Sequence, residues 1–338
     1  MKFAIAALIA TVAAVDRDTE VAYAHFCAAN NKSFATKEEY EFRLNEFAKK
    51  AKFVEEHNAQ NGDDQEAHAV ALNHMADWTV EEYKSLLGFQ KHNKTHVARH
   101  HIVPRSKTIH EILGFGIEAV KDVPAAVDWR TLGAVTPVKN QGQCGSCWSF
   151  SATGAMEGAY QIKNANLVSF SEQQLVDCST AQGNMGCNGG LMDDAFTFAE
   201  TTAMDTEASY PYKGKDGTCN ATVAGVAKVT GFTDVAVKDP VALQAAAALG
   251  PVSIAIDASG IAFQLYHKGI MKKFCGTSLD HGVLLVGYGT EGSDDYWIVK
   301  NSWGASWGES GYFRILRTMD KQDAGVCGLQ LAASYPLM

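Results

Sequence analysis

QGQCGSCWSF, residues 141–150, is the stretch on which the reading of this chain turns. It places Cys147 at the start of an apolar, Ala-rich run, CWSFSATGAMEGAYQIK, that reads as a helix. A thiol is a weak nucleophile until it loses its proton, and a helix N-terminus or a nearby imidazolium favours that loss. The position of Cys147 supplies the first. The second has to come from elsewhere, and only His267 and His281 lie beyond residue 122. His281 stands in the strand-like LDHGVLLVGYG, and Asn301 follows another such run, YWIVKN. An Asn there can accept the far imidazole N–H and fix the ring's tautomer and orientation. Gln141, six residues before the thiol, can join the Cys147 backbone N–H in holding a carbonyl oxygen as it becomes an oxyanion.

Outward from that stretch, the 338 residues are 46% apolar and 20% charged, a globular composition, and the net charge of −9 implies no surface for nucleic acid. The N-terminal MKFAIAALIATVAAVD has Lys2 ahead of an apolar run and small residues suited to cleavage after Ala14. It is too short to span a bilayer and reads as a removable signal peptide, 1–14. No later stretch predicts a membrane span, so the expected location is the secretory pathway, leading to a lysosome-like vacuole or the extracellular space. Seven of eight cysteines follow residue 140, an odd count that fits three disulfides and one free thiol in an exported domain. Cys144 and Cys147 also form C-x-x-C, which could be a redox pair. Nothing supports zinc or any other metal, and no cofactor is implied.

Histidines and cysteines divide the chain in opposite ways. Nine of eleven His lie before residue 123, which sets a boundary near the extended KDVP junction, 121–124. Before it, EEYEFRLNEFAKKAKFVEEHN (38–58) predicts an amphipathic helix with a surface Glu39–Arg43 pair. Residues 85–122 read as irregular and extended. After the boundary, helices are expected from Cys147, after a Ser171/Gln174 capping box, over 191–200, and from Pro240 to Leu249 with Asp239 as N-cap. PVSIAIDA, HGVLLVGYG, YWIVKN and GYFRILR then read as strands. A helical half followed by a stranded half predicts an α+β protein in two lobes, with a site in the cleft between them.

With those residues in view, the chain resembles the papain family of cysteine peptidases, most closely its cathepsin L-like group. CGSCW (144–148), GCNGG (186–190), LDHG (279–282) and NSWGASWGESGY (301–312) carry the resemblance in order, with His281 134 residues after Cys147 and Asn301 154 after it. It implies a papain-like fold with a helical left lobe, a β-barrel-like right lobe and an N-terminal helical inhibitory prosegment. It implies Cys147 as nucleophile, His281 as base and acid, Asn301 as orienting group, Gln141 as oxyanion donor and Trp303 as a shield over the His–Asn bond. Spacing alone leaves fifteen pairings of six cysteines open. The resemblance implies Cys144–Cys187, Cys178–Cys219 and Cys275–Cys327, which removes the redox reading of Cys144. It divides the chain into a signal peptide, an inhibitory propeptide over 15–122 and a peptidase domain over 123–338.

The reaction so implied is peptide hydrolysis through a Cys147 thioester, by an inactive precursor activated at acid pH. Gly189 and Gly190 would let an extended substrate backbone approach. Leu191, Met192, Ala255, Leu279, Gly282 and Ala332 would surround the residue two before the cut, with Asp280 beside His281. All but Asp280 are apolar or small, so bulky apolar or aromatic side chains are expected there. The prosegment carries Glu39, Arg43, Phe47, Lys50, Val54 and Asn58, then Ala71, Asn73, Met75 and Asp77, with Lys50, Val54, Ala71 and Met75 departing from the family pattern. Between residues 15 and 122, 14 basic residues face 18 acidic ones, so protonating nine His would reverse the sign and loosen the stretch holding His92, His96, His100, His101 and His110. Expected partners are protein and peptide substrates, the chain's own propeptide and cystatin-type inhibitors. A monomer is expected. Asn31, Asn93 and Asn220 head glycosylation sequons. Cys27 reads as a helix-face thiol and His267 as a surface residue. The rivals are a non-catalytic binder on the same fold, which active-site titration would expose, and a transglutaminase-like acyltransferase, which amine transfer would reveal.

Overall fold

A computed structural model of the chain describes residues 15–61, 68–90, 123–220 and 225–338. The leader, the 92–110 histidines, Asn93 and the junction at 122 lie outside the described residues. Before residue 90, helix α1 (Arg17–Ala29), capped by Asp16 on Thr19, crosses the long helix α2 (Lys37–Asn61). Tyr23, Cys27, Leu44, Phe47 and Ala76 form a small core between them. The predicted Glu39–Arg43 pair is not what forms. Arg43 reaches across to Glu82 with two N–H groups, at 2.5 and 2.7 Å, because a bidentate fork on a second helix outcompetes a surface pair on its own. Glu82 belongs to helix α3 (Val80–Lys84), whose Thr79 makes a complete capping box with it.

The Ser171 cap does form at the start of the helix Glu172–Cys178, but Gln174 does not answer it. Its side chain instead spans Ala203 O and Asp205 N, so the reciprocal half of the predicted box is missing. The helix from Cys147 runs to Asn164 (α4), Glu172–Cys178 is α5, and α6 spans Met192–Thr201. Helix α7, Pro240–Leu249, starts on Asp239 as expected.

The strands form one eight-stranded sheet rather than a barrel. Its path runs β3 (Gly231–Asp234), β10 (Ala333–Leu337), β4 (Val252–Ile256), β7 (His281–Glu291), β8 (Asp294–Lys300), β9 (Tyr312–Leu316) and β6 (Ile270–Met271), with β2 (Val127–Asp128) paired to β7. The ends of that path do not meet among the described residues, so the sheet is not a closed barrel, while the mixed α+β class expected from the sequence holds. The physical reason is that the sheet has a core on each face. Val283 and Leu285 of β7 point into one core with Trp297, Val299 and Phe313, while Leu284 and Val286 point into the other with Trp148 and Met156. Helix α4 lies on the second face so closely that a Cβ on Gly154 would stand 2.6 Å from Leu284. This contact seats the start of α4 beside the start of β7.

The segment before residue 90 joins this body by strand addition. β1 (Ala69–Val70) pairs antiparallel with β5 (Tyr266–Lys268), and Asn58 clamps Val70 from behind with two hydrogen bonds. Met75, Tyr83 and Leu86 then enter the larger core.

Candidate active site

Three elements bring the site together. Cys147 is the first residue of α4, His281 the first of β7, and Asn301 follows β8. Asn301 Oδ1 accepts from the Ser302 backbone N–H at 2.8 Å. That bond fixes which amide atom faces His281, so the 2.8 Å contact between His281 Nε2 and Asn301 Oδ1 needs the proton on Nε2. Nδ1 of His281 is left as a lone pair. The Gly282 N–H donates to Cys147 Sγ at 3.3 Å, tying the thiol to the residue after the imidazole. Trp303 lies over His281 with ring centroids 4.7 Å apart.

Both titrating groups are buried and held neutral. Burial pushes the Cys147 thiol up to about 11, against the backbone N–H groups of Gly282, Gly88 and Trp148. Burial holds His281 down at about 4, opposed only by Asn301. Desolvation therefore outweighs the helix N-terminus here, with one covering segment lying over the site.

That segment is residues 83–90. Gln141 Nε2 donates to Leu86 O at 2.9 Å and to Cys144 O at 2.8 Å, while Ser302 Oγ fixes Gln141 Oε1 at 2.6 Å. Gly190 N donates to Gly88 O at 2.9 Å, Gln90 N returns to Gly190 O, and Phe89 N donates to Asp280 O at 2.9 Å. The glycine edge therefore pairs with a chain, in parallel, as a strand would. Gly189 abuts the same segment: its backbone is at φ +113, and a Cβ there would meet Gly88 O at 2.7 Å. Phe89 is buried with Met192, Ala255, Leu191, Leu279 and Ala332. It also lines a cavity of about 330 Å³ that runs on past Ala332 to Asp193 and Asp234. A Cβ on Gly282 would come within 3.2 Å of Met192 Sδ, so that wall is tight.

The direction of the segment matters. A substrate cut at the thiol has its pocket residue before the carbonyl that Gln141 would hold. Here the carbonyl belongs to residue 86 and the pocket residue is 89, so the chain lies the other way round.

Every site residue singled out from sequence falls in this cleft, with Asp280 contributing its backbone carbonyl to the covering chain and its side chain to Ala258 N. Burial pushes the Asp280 carboxyl up to about 6. The described disulfides are Cys144–Cys187, Cys178–Cys219 and Cys275–Cys327, and Cys27 and Cys147 are free. Sequence reasoning missed Ser302, Leu86 and Phe89. Ser302 had a signal, its place beside Asn301. Phe89 had a weak one, a lone aromatic after Gly88 in an otherwise structureless run.

Comparison with known proteins agrees with this geometry. Residues 123–337 match the profile of the papain family cysteine proteases, and residues 23–83 that of the cathepsin propeptide inhibitor domain. The chain is 43% identical to procathepsin L of Mus musculus over 319 residues, 92% of this chain and 90% of that one. It is 47% identical to the oryzain beta chain of Oryza sativa subsp. japonica over 301 residues, 88% of this chain but only 62% of that protein's length. Digestive procathepsin L2 proteinase of the Tenebrio molitor larval midgut superposes with a TM-score of 0.84 at 37% identity, covering 95% of this chain and all of that one.

Proposed function

The chain belongs to the papain family of cysteine peptidases and carries that family's inhibitory propeptide, and on that premise we propose that it is the zymogen of an endopeptidase that cuts after a bulky apolar or aromatic residue at the second position before the scissile bond. The observation that supports this most directly is Phe89 seated in the apolar pocket between Met192, Ala255 and Ala332. The propeptide itself thus offers an aromatic side chain where a substrate would. The covering chain also passes right through the cleft. Tyr83 packs on Trp303 at one end, and Gln90 Nε2 reaches Asn188 O at the other. A groove open at both ends suits a cut within a chain.

The residue roles follow from the geometry. Once residues 83–90 leave, water reaches Cys147 and His281, burial no longer favours the neutral pair, and the proton passes from Sγ to Nδ1. The thiolate attacks the peptide carbonyl, whose oxygen takes the place of Leu86 O on Gln141 Nε2, with the Cys147 N–H as second donor. His281 gives its Nδ1 proton to the leaving amine as the C–N bond breaks, leaving a thioester. It then takes a proton from water, whose oxygen displaces Sγ to release the acid. Asn301 holds the ring by Nε2–H throughout, under Trp303. Gly190 pairs with the substrate backbone, and Gly189, without a side chain, leaves room for it.

This reading takes 1–14 as a signal peptide, 15–122 as the segment removed and 123–338 as the mature enzyme. It places the protein in the secretory pathway, bound for a lysosome-like vacuole or the exterior, which three disulfides suit. The mature enzyme acts as a monomer open to cystatin-type inhibitors, with Asn220 exposed for a glycan. The test is acid activation of the full chain, N-terminal sequencing of the product, titration with an epoxide inhibitor, and a dipeptidyl substrate panel. One titratable thiol, lost in Cys147→Ala, and faster cleavage of Phe-Arg than Arg-Arg are expected. Equal or better cleavage of Arg-Arg would overturn the pocket assignment.

A further inference from the structure

Behind the Cys147–His281–Asn301 row, between α4 and the sheet, is a small cavity with room for about 20 Å³. Ser151, Thr153, Glu172, Lys300 and Asn301 are among its walls. Three buried charges, Glu157, Glu172 and Lys300, and the half-buried Lys139 gather around it. Lys139 Nζ donates to Glu157 Oε1 at 2.9 Å, Glu172 Oε1 at 2.6 Å and Phe170 O at 3.1 Å. Lys300 Nζ donates to Thr136 O and Oγ1 at 2.7 and 3.0 Å.

The two glutamates differ in what they have left to offer. Glu157 uses both oxygens inside the protein, with Thr136 Oγ1 on Oε2 and Lys139 and the Phe170 N–H on Oε1. Glu172 gives Oε1 to Lys139 and to Thr153 Oγ1 at 2.5 Å, and its Oε2 is buried without a partner. Asn301 shows the converse. Its Oδ1 is saturated by His281 and Ser302, while its Nδ2, a double donor, is buried without a partner. The residue with the unmet acceptor and the residue with the unmet donor thus both line the same small space. Burying either unpaired is unfavourable, and a water molecule needs only about 10–15 Å³ and two or more polar partners.

We propose that one ordered water in this cavity joins Asn301 Nδ2 to Glu172 Oε2, which makes Glu172 a positioning residue for the Asn301–His281 pair. The water accepts from Nδ2–H and donates an O–H to the carboxylate. The link opposes rotation of the amide, which would set Nδ2 against two donors, His281 Nε2–H and Ser302 N–H. It also carries the carboxylate's charge toward the imidazolium that appears when Cys147 loses its proton, but only from about pH 7 upward, because burial pushes the Glu172 carboxyl up to about 7 against the pull of Lys139. Lys139 and Lys300 offset part of that charge, so the electrostatic effect is modest and the orienting effect leads.

The inference rests on the catalytic roles proposed above, and its test separates the two. Mature Glu172→Gln and Glu172→Leu are compared with mature Glu157→Gln in kcat, KM and the pH profile of kcat/KM. Glu172→Gln keeps an acceptor but not the charge, and should lower kcat about threefold and move the alkaline limb down by about half a unit, with KM unchanged. Glu172→Leu loses the acceptor and should lower kcat about tenfold or more. Glu157→Gln removes an equally buried charge that does not serve Asn301, and should lower Tm while leaving the limb in place. A high-resolution crystal structure of the unsubstituted mature enzyme, which depends on no variant folding, should show a water between the two atoms. Wild-type kcat and limb in Glu172→Leu, the same limb shift in Glu157→Gln, or no water at that place would each overturn the inference. In all these cases the inhibitor-titratable Cys147 persists; its loss would strike the catalytic reading instead.

Discussion

Residue by residue, the tightest fit at any glycine among the described residues is between two glycines of different segments. A Cβ on Gly88 would stand 1.8 Å from Gly145 O, a backbone atom that cannot swing away, and a Cβ on Gly145 would meet Cys187 O at 2.5 Å. Gly88→Ala should therefore leave the body of the enzyme intact while lifting the cover from the thiol. Overpacking of this kind costs about 1–3 kcal/mol, so hydrolysis of a Phe-Arg substrate by fresh full-length protein at neutral pH should rise at least about fivefold. A variant as silent as its parent would contradict the fit. At this scale most of the site was legible. Cys147, His281, Asn301 and Gln141 each announce themselves by a chemical type in a marked context. Leu86 does not, because what it contributes is a backbone carbonyl, and a carbonyl looks the same in every residue.

Among the elements, α2, β1 and β5 meet around His68. Its imidazole is buried with both nitrogens unpartnered, stacked on Tyr266 at 5.6 Å, with His57 at 5.3 Å and Phe274 at 5.7 Å. Burial, and then the neighbouring His57, hold it down at about 4 while docked. A freed His68 returns to about 6.5. The sign follows: docking keeps its full strength above pH 6.5 and weakens as pH falls from 6.5 toward 4, by roughly 3 kcal/mol once the ring is protonated. His68→Phe keeps the aromatic stack and removes the proton. Its activation midpoint, followed by inhibitor titration from pH 7 to 4, should move to lower pH, and an unmoved midpoint would remove His68 from the trigger. The sequence pointed instead to histidines at 92–110, since it shows where histidines cluster but not which are buried. It read β7 as a strand for the right reason but missed its two-sided burial, because a run that is apolar at every position carries no alternation. The short β3 and β10, which extend the sheet, were also missed.

For the whole molecule, the propeptide is part of the core rather than a lid. Met75, Tyr83 and Leu86 are as buried as Trp297 and Phe313, in one continuous cluster. Fully burying such side chains contributes about 1.5–3 kcal/mol each, and 1 kcal/mol shifts the melting of a body the size of residues 123–338 by about 2–4 °C. Calorimetry at pH 7 should therefore find the mature enzyme, thiol blocked against self-digestion, melting at least about 5 °C below the full-length protein. Equal melting would mean the segment merely rests on the surface. The class and the two-part order of the chain were legible from composition and periodicity. The open sheet was not, because closure depends on how the end strands sit, and single-strand patterns do not record their neighbours.

The reversed path of residues 83–90 also sets the kinetics of awakening. A cleft that holds its own cover backwards cannot sever it in place, since no bond is presented in the productive sense. A molecule must first shed the cover, or have it cut by another copy already awake. Activation then becomes a matter of encounters between molecules: a lag, then a runaway, with a lag that shortens as the protein is concentrated. Crowding many copies together would therefore hasten the process at any given pH.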